Sequence, residues 1–122
     1  MPVQQLSITV AEVGERTTIV AVHGELDLAG ADEFRAALET RNGWKPGRRL
    51  LVDLARATFI DSTALGILSG ASRSLKSGGG SLTVVASDPR IVRIFELAGL
   101  NRLIRVERSL AEAVASVLPP AA

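Results

Sequence analysis

Apolar and hydroxyl-bearing residues alternate from Leu6 to Val10, near the start of the chain. This two-residue period is typical of a half-buried β-strand. The alternation returns from Thr17 to His23, after a turn-forming segment at residues 13–16. The pattern therefore predicts two strands that pair as an antiparallel hairpin.

Three later segments also have the composition of strands. The most apolar is Leu50 to Leu54, where only Asp53 is polar, as expected for an inner strand covered on at least one face. Leu82 to Ala86 is a second apolar run, and Leu103 to Val106 is short enough to be an edge strand.

Helical periodicity separates these strands. The apolar residues of each separating segment fall on one stripe, for example Ile91, Phe95 and Ala98 in the third. Side-chain caps or proline at the segment starts, and Gly99 after the third stripe, indicate where helices begin and end. The predicted helices start after Asp27, at Ser62, at Pro89 and after Ser109, and they end near Thr40, Lys76, Gly99 and Leu118.

Glycines mark two places in this pattern. Gly66 and Gly70 lie inside the longest helix, where each costs about 1 kcal/mol relative to alanine. They predict the close approach of another backbone, either within the fold or from a partner. Residues 78–80 are a glycine run that follows a helix and precedes a strand, the reverse of the order in a phosphate-binding loop, so we interpret it as a turn.

The resulting order of elements is ββαβαβαβα. Strand–helix–strand units imply parallel neighbouring strands with the connecting helices on one face of the sheet. We therefore predict a single α/β domain over residues 1–122, with a mixed, mostly parallel sheet of four to five strands. About four helices lie mainly on one face, and residues 119–122 form a frayed tail.

Composition excludes several classes of function. The 122 residues carry 14 basic and 13 acidic side chains, a formal net charge of +1, which is far from the charge of a nucleic-acid or membrane-surface binder. No cysteine is present, so thiolate metal sites and disulfides are excluded. The start has no signal-peptide pattern and no run is long enough to span a membrane, which predicts a cytoplasmic location.

The segment from Thr58 to Gly66 is the main candidate site. Asp61, Ser62 and Thr63 stand where the longest helix begins, so their oxygens face N–H groups that lack helical partners. An ordinary N-cap explains this triplet without any further function. A helix start also favours negative charge, so a phosphoryl group on Ser62 or Thr63 would be tolerated there.

Three short motifs resemble those of the anti-sigma factor antagonists, which consist of a sulfate transporter and anti-sigma antagonist (STAS) domain. They are FIDSTALG at residues 59–66, GELD at 24–27 and FELAGL at 95–100. The resemblance extends from about Leu6 to about Leu118, and the order and spacing of the motifs make it specific.

The resemblance implies a partner switch. The unphosphorylated protein would bind an anti-sigma factor with a histidine-kinase-like ATPase fold and so release the sigma factor. That partner, acting as a serine/threonine kinase, would phosphorylate Ser62 or Thr63 and end the complex, and a serine/threonine phosphatase would reset it. Ser62, directly after the aspartate, is the first candidate.

The same resemblance implies a partner surface and no catalytic residue, cofactor or direct contact with nucleic acid. Ala64 stands where glycine is most common in the family. Asp27 has two readings, as the cap of the first helix and as part of the partner surface. The implied partner-binding residues are Asp27, Asp61, Ser62, Thr63, Ala64 and Gly66.

Two other functions fit parts of the sequence. A STAS-type scaffold or transporter-associated subunit would keep the fold and use Ser62 and Thr63 only as caps. A serine hydrolase would need Ser62, His23 and Asp27 as a triad, but no G-x-S-x-G elbow surrounds any serine.

Overall fold

A computed structural model describes residues 6–39 and 46–117 of the chain. Within these residues, five strands form one sheet in the order β1-β2-β3-β4-β5. β1 pairs with β2 in antiparallel register, and the other neighbouring pairs are parallel, which confirms the predicted mixed sheet. The strands are β1 Ser7–Val13, β2 Thr17–Leu26, β3 Arg49–Ile60, β4 Ser81–Val85 and β5 Arg105–Glu107.

In the described part of the chain, four α-helices connect or follow the strands in the predicted order. They are α1 Ala31–Leu38, α2 Ser62–Ser77, α3 Pro89–Leu97 and α4 Leu110–Val117, with short 3-10 turns at Leu28–Gly30 and Leu100–Arg102. The predicted ends of the first and last helices, near Thr40 and at Leu118, and the tail at 119–122 lie outside the described residues.

The sheet has a hydrophobic core on each face. Leu50 and Val52 of β3 belong to a large cluster with the buried side chains of α1, α2 and α3. Leu51, which points to the opposite face, packs with Val85 and with Ala113 of α4. Three helices therefore cover one face and α4 covers part of the other, which agrees with the predicted arrangement.

The strands β2 and β3 run further than their apolar patterns predict. β2 continues to Leu26 and β3 to Ile60, and register shifts mark two irregularities along this extension. The predicted end of β3 at Leu54 is wrong because the polar residues after it break the apolar run, while pairing with β2 keeps the backbone extended. β4 stops at Val85, opposite Asp53, so the ends of β2 and β3 project beyond the rest of the sheet.

Two details of the helices differ from the sequence prediction. Asp27 caps the 3-10 turn at Leu28–Gly30, and α1 itself starts only at Ala31. Ala98 is exposed and is not part of the apolar stripe of α3, because the helix ends at Leu97 and the chain turns at Gly99 with φ of 72°.

The glycine run after α2 forms a compact turn, as predicted. The Gly80 N–H donates to the Leu75 carbonyl at 2.7 Å and the Gly79 N–H donates to the Lys76 carbonyl at 3.0 Å, the hydrogen bonds of a Schellman motif. Gly79 has φ of 79°, which favours glycine. A Cβ on Gly80 would overlap the backbone of Arg48.

The glycines inside α2 have no such internal role. Both Gly66 and Gly70 are exposed, and a Cβ built on either would meet no atom within 4 Å. The predicted close approach of another backbone from within the fold is therefore wrong. An approach from outside the chain stays a prediction.

Candidate functional site

Asp61 links the end of β3 to the start of α2. Its backbone is still extended, and its Oδ1 accepts a hydrogen bond from the Ala64 N–H at 3.1 Å. One of the unpaired N–H groups at the helix start is thereby satisfied. The predicted cap of α2 is confirmed.

Asp27 occupies the equivalent position at the end of β2. Its Oδ1 accepts from the Ala29 N–H at 3.1 Å. Leu26 and Ile60, the residues before the two aspartates, are partners in the parallel register, and neighbouring strands lie about 4.8 Å apart. Asp27 and Asp61 therefore leave the sheet side by side, which the sequence separation of 34 residues does not reveal.

The two hydroxyl residues differ in accessibility. Ser62, the first residue of α2, is exposed, whereas Thr63 is half-buried. Within the described residues, neither hydroxyl makes a hydrogen bond to another protein group. The Ser62 Oγ is thus the more accessible nucleophile next to the paired aspartates.

The side chain of Ala64 points away from solvent and into the core. Its side chain is only 2% exposed and belongs to the core cluster under α2. The expected contact of this methyl group with a partner does not fit the fold, because the third residue of α2 faces the sheet. Gly66, two residues later, is exposed on the outer surface of the helix.

Two exposed apolar side chains border the aspartates. Leu28 is 73% exposed directly after Asp27, and Phe59 is 49% exposed two residues before Asp61. Sequence patterns do not single out either residue, since each looks like a core residue in an apolar stretch. We call Asp27, Asp61 and Ser62, together with these two exposed residues that lie within two positions of an aspartate in the sequence, the strand-end surface.

The histidine needed for a hydrolytic triad is not near the serine. His23 is exposed on β2, where it is paired with Ser7 on one side and Arg56 on the other. Leu26, three residues further along β2, is the residue level with the end of β3. Among the described residues, no hydrogen bond joins His23, Asp27 and Ser62, so no triad is assembled.

The family follows from a comparison with known domains. A model of the STAS domain matches residues 9–113 of the chain, which includes β2, both aspartates and the start of α2. The chain belongs to the STAS domain family of anti-sigma factor antagonists.

Curated and solved relatives agree with this assignment. The anti-sigma-B factor antagonist of Listeria monocytogenes is 34% identical over 99 residues, which cover 79% of this chain and 86% of the relative. The crystal structure of an anti-sigma factor antagonist from Mycobacterium paratuberculosis matches with a TM-score of 0.80 at 25% identity, over 93% of this chain and 94% of that one.

A third comparison supports the fold alone. The Bacillus cell fate determinant SpoIIAA, in its phosphorylated form, matches with a TM-score of 0.70 at 22% identity, over 92% of this chain and 100% of that one.

Among the residues that the structure describes in this STAS domain, no helix is long and apolar enough to cross a membrane.

Proposed function

We propose that this STAS domain is an anti-sigma factor antagonist that works by partner switching. Its unphosphorylated form binds an anti-sigma factor that is also a serine/threonine kinase, and so releases the sigma factor. Phosphorylation at Ser62 ends the complex, and a serine/threonine phosphatase restores the binding form. The observation that carries the proposal is that Ser62 is exposed at the start of α2, directly after Asp61, where β3 ends beside the strand that leads to Asp27.

The accessibility of the two hydroxyls favours Ser62 over Thr63 as the phosphorylated residue. In the transfer, the Ser62 Oγ forms a bond to the γ-phosphorus of ATP, whose bond to the β–γ bridging oxygen breaks. ADP leaves, and the hydroxyl proton passes to a base of the kinase. Thr63, which is half-buried one residue further into α2, is the second candidate.

The charge added at Ser62 explains how binding ends. A phosphoserine carries about −1.5 to −2 charges at neutral pH. These charges would lie beside the carboxylates of Asp27 and Asp61, on a surface where Leu28 and Phe59 are available for apolar contact. Bulk, desolvation and like-charge repulsion against acidic groups of a partner then oppose the complex. A loss of about 3 kcal/mol weakens binding by more than a hundredfold.

The proposed partner surface follows from the same residues. It comprises Asp27, Asp61, Ser62, Thr63 and Gly66, together with the exposed Leu28 and Phe59. The side chain of Ala64 is left out because it is buried. The curated relative from Listeria supports this proposal by its name, anti-sigma-B factor antagonist.

Phosphoryl transfer tests the proposal directly. The purified protein is incubated with ATP and the anti-sigma kinase of its own organism, and the intact mass and the modified residue are then determined. We expect one added phosphoryl group that is lost in Ser62→Ala and retained in Thr63→Ala. A stable complex with no phosphate on either hydroxyl would overturn the switch and favour a scaffold role for the domain.

A further inference from the structure

A groove opens between α1 and α2, next to the proposed phosphorylation site. Its volume is about 430 Å³, and its apolar walls include Leu38, Ile67 and Ala71. Arg35 of α1 and Glu39, which follows the end of α1, line it and are exposed. A concave surface with apolar walls and a charged rim has the anatomy of a site for a partner's side chains.

Thr63 joins this groove to the strand-end surface. It lines the groove and also directly follows Ser62, the residue that a kinase must reach. Because α2 rises about 1.5 Å per residue, Gly70 lies about 12 Å along the helix from Ser62. A partner that engages both Ser62 and the far part of the groove must therefore lie along α2.

The shape of the groove favours a helix as its occupant. Gly66 and Gly70 line it one turn apart, and the space beside both Cα atoms is open. Glycine is unfavourable inside a helix relative to alanine, and nothing within the described fold requires it at these two positions. Open space at successive turns allows the side-chain ridge of a second helix to approach the backbone of α2 closely.

The charged residues at the rim of the groove favour one orientation of a bound helix. Arg35 lies on α1 and Glu39, of opposite charge, is the residue that ends this helix, four positions later. Within residues 6–39 and 46–117, the guanidinium of Arg35 pairs only with exposed Asp32, at 3.3 Å, and such surface pairs contribute little. Both rim charges are thus available to a helix that carries an acidic and a basic residue one turn apart.

We propose that a helix of the anti-sigma partner packs along the α1–α2 groove, with an apolar side chain between Leu38 and Ile67 and opposite charges facing Arg35 and Glu39. This inference rests on the proposed function, and it places part of the binding energy two turns away from the phosphorylated residue. Residues that line the groove from the α1 side then determine which partner binds, while phosphorylation at Ser62 ends the complex.

Filling the groove tests the inference. In Gly70→Leu the new side chain enters open space, so we expect an unchanged or higher melting temperature. Affinity for the anti-sigma kinase should fall by about tenfold or more, as measured by calorimetry. Arg73→Leu is the matched control, because Arg73 is exposed on α2 outside the groove, and its affinity should stay within about twofold.

The outcomes separate this inference from the proposed function. If the native protein binds and is phosphorylated at Ser62, while Gly70→Leu binds equally well, the groove proposal is overturned and the switch stands. If Arg35→Glu with Glu39→Lys weakens binding as Gly70→Leu does, the groove is supported twice. If the native protein neither binds nor is phosphorylated, both proposals fail.

Discussion

The backbone N–H of Asp61 donates to the carbonyl of Leu26 at 3.3 Å. This hydrogen bond extends the parallel pairing of β2 and β3 by one residue beyond Ile60. It fixes the start of α2 against the end of β2, so that Asp27, Asp61 and Ser62 lie on one edge of the sheet.

The cap of α2 is the first feature that can be tested by mutation. Asp61→Ala removes the acceptor for the Ala64 N–H and should lower the free energy of unfolding by about 1 kcal/mol. Asp61→Asn retains an acceptor oxygen and should lose only the interaction of its charge with the helix dipole, about 0.3–1 kcal/mol. Urea denaturation measures both. Equal, large losses in the two variants would show that the charge, not the cap, stabilises the junction.

Glycines with different surroundings should respond in opposite ways to the same substitution. Gly80→Ala forces a methyl group onto the backbone of Arg48 and should destabilise the fold by about 2–3 kcal/mol. Gly66→Ala places its methyl in open space and should stabilise the helix by up to about 1 kcal/mol. Thermal unfolding of both variants checks this contrast, and a destabilised Gly66→Ala would contradict it.

A buried arginine holds together the opposite edge of the sheet. Arg48 is 2% exposed, and it donates from Nε to Thr18 Oγ1 at 3.3 Å and from Nη1 to the Leu38 carbonyl at 2.9 Å. Burial lowers the pKa of Arg48 below its ordinary value, and the carboxylate of Glu12 offsets part of this effect.

Removal of this arginine should weaken the whole domain. Arg48→Met leaves the last turn of α1 without its side-chain donor and should cost about 2–3 kcal/mol of unfolding free energy. Arg48→Lys should recover only part of this loss, because an ammonium group cannot reproduce the planar fork of a guanidinium. Chemical denaturation of the two variants measures the difference. A loss below about 0.5 kcal/mol for Arg48→Met would contradict this structural role.

The start of α3 gives a prediction for pH. Hydrogen bonds from the Arg90 side chain, together with the Arg90 backbone N–H, lower the pKa of Asp88 below its usual value of 3.8. A carboxyl group whose pKa is lowered by folding stabilises the fold above its unfolded pKa, and this contribution is lost as the pH falls through the folded pKa. In Arg90→Gln, NMR titration should show a higher pKa for Asp88. An unchanged pKa would mean that the backbone hydrogen bond alone causes the shift.

The sequence predicts the elements whose signals are local. The start of α2 is predicted correctly because residues that favour a helix N-cap, Asp61 and Ser62, come directly before a segment with helical apolar periodicity. The end of β3 is not, because residues after Leu54 remain extended only through pairing with β2. Local periodicity cannot report a partner strand that is distant in sequence.

The candidate site is also predicted from the sequence only where its signals are local. The motif around Asp61 identifies the segment, but the placement of Asp27 beside it comes from the parallel register of two strands. The exposure of Leu28 and Phe59 and the burial of Ala64 also depend on how α1 and α2 pack on the sheet. The groove between α1 and α2 has no sequence signal except the unexplained Gly66 and Gly70.

The affinity of the anti-sigma kinase for the unmodified and the Ser62-phosphorylated protein is the most direct measurement of the proposed switch. Calorimetry on both forms should show binding at least about a hundredfold weaker after phosphorylation. Ser62→Asp should weaken binding more than Ser62→Asn, since the two side chains differ mainly in charge. Equal affinities for the phosphorylated and unmodified proteins would contradict the switch at Ser62.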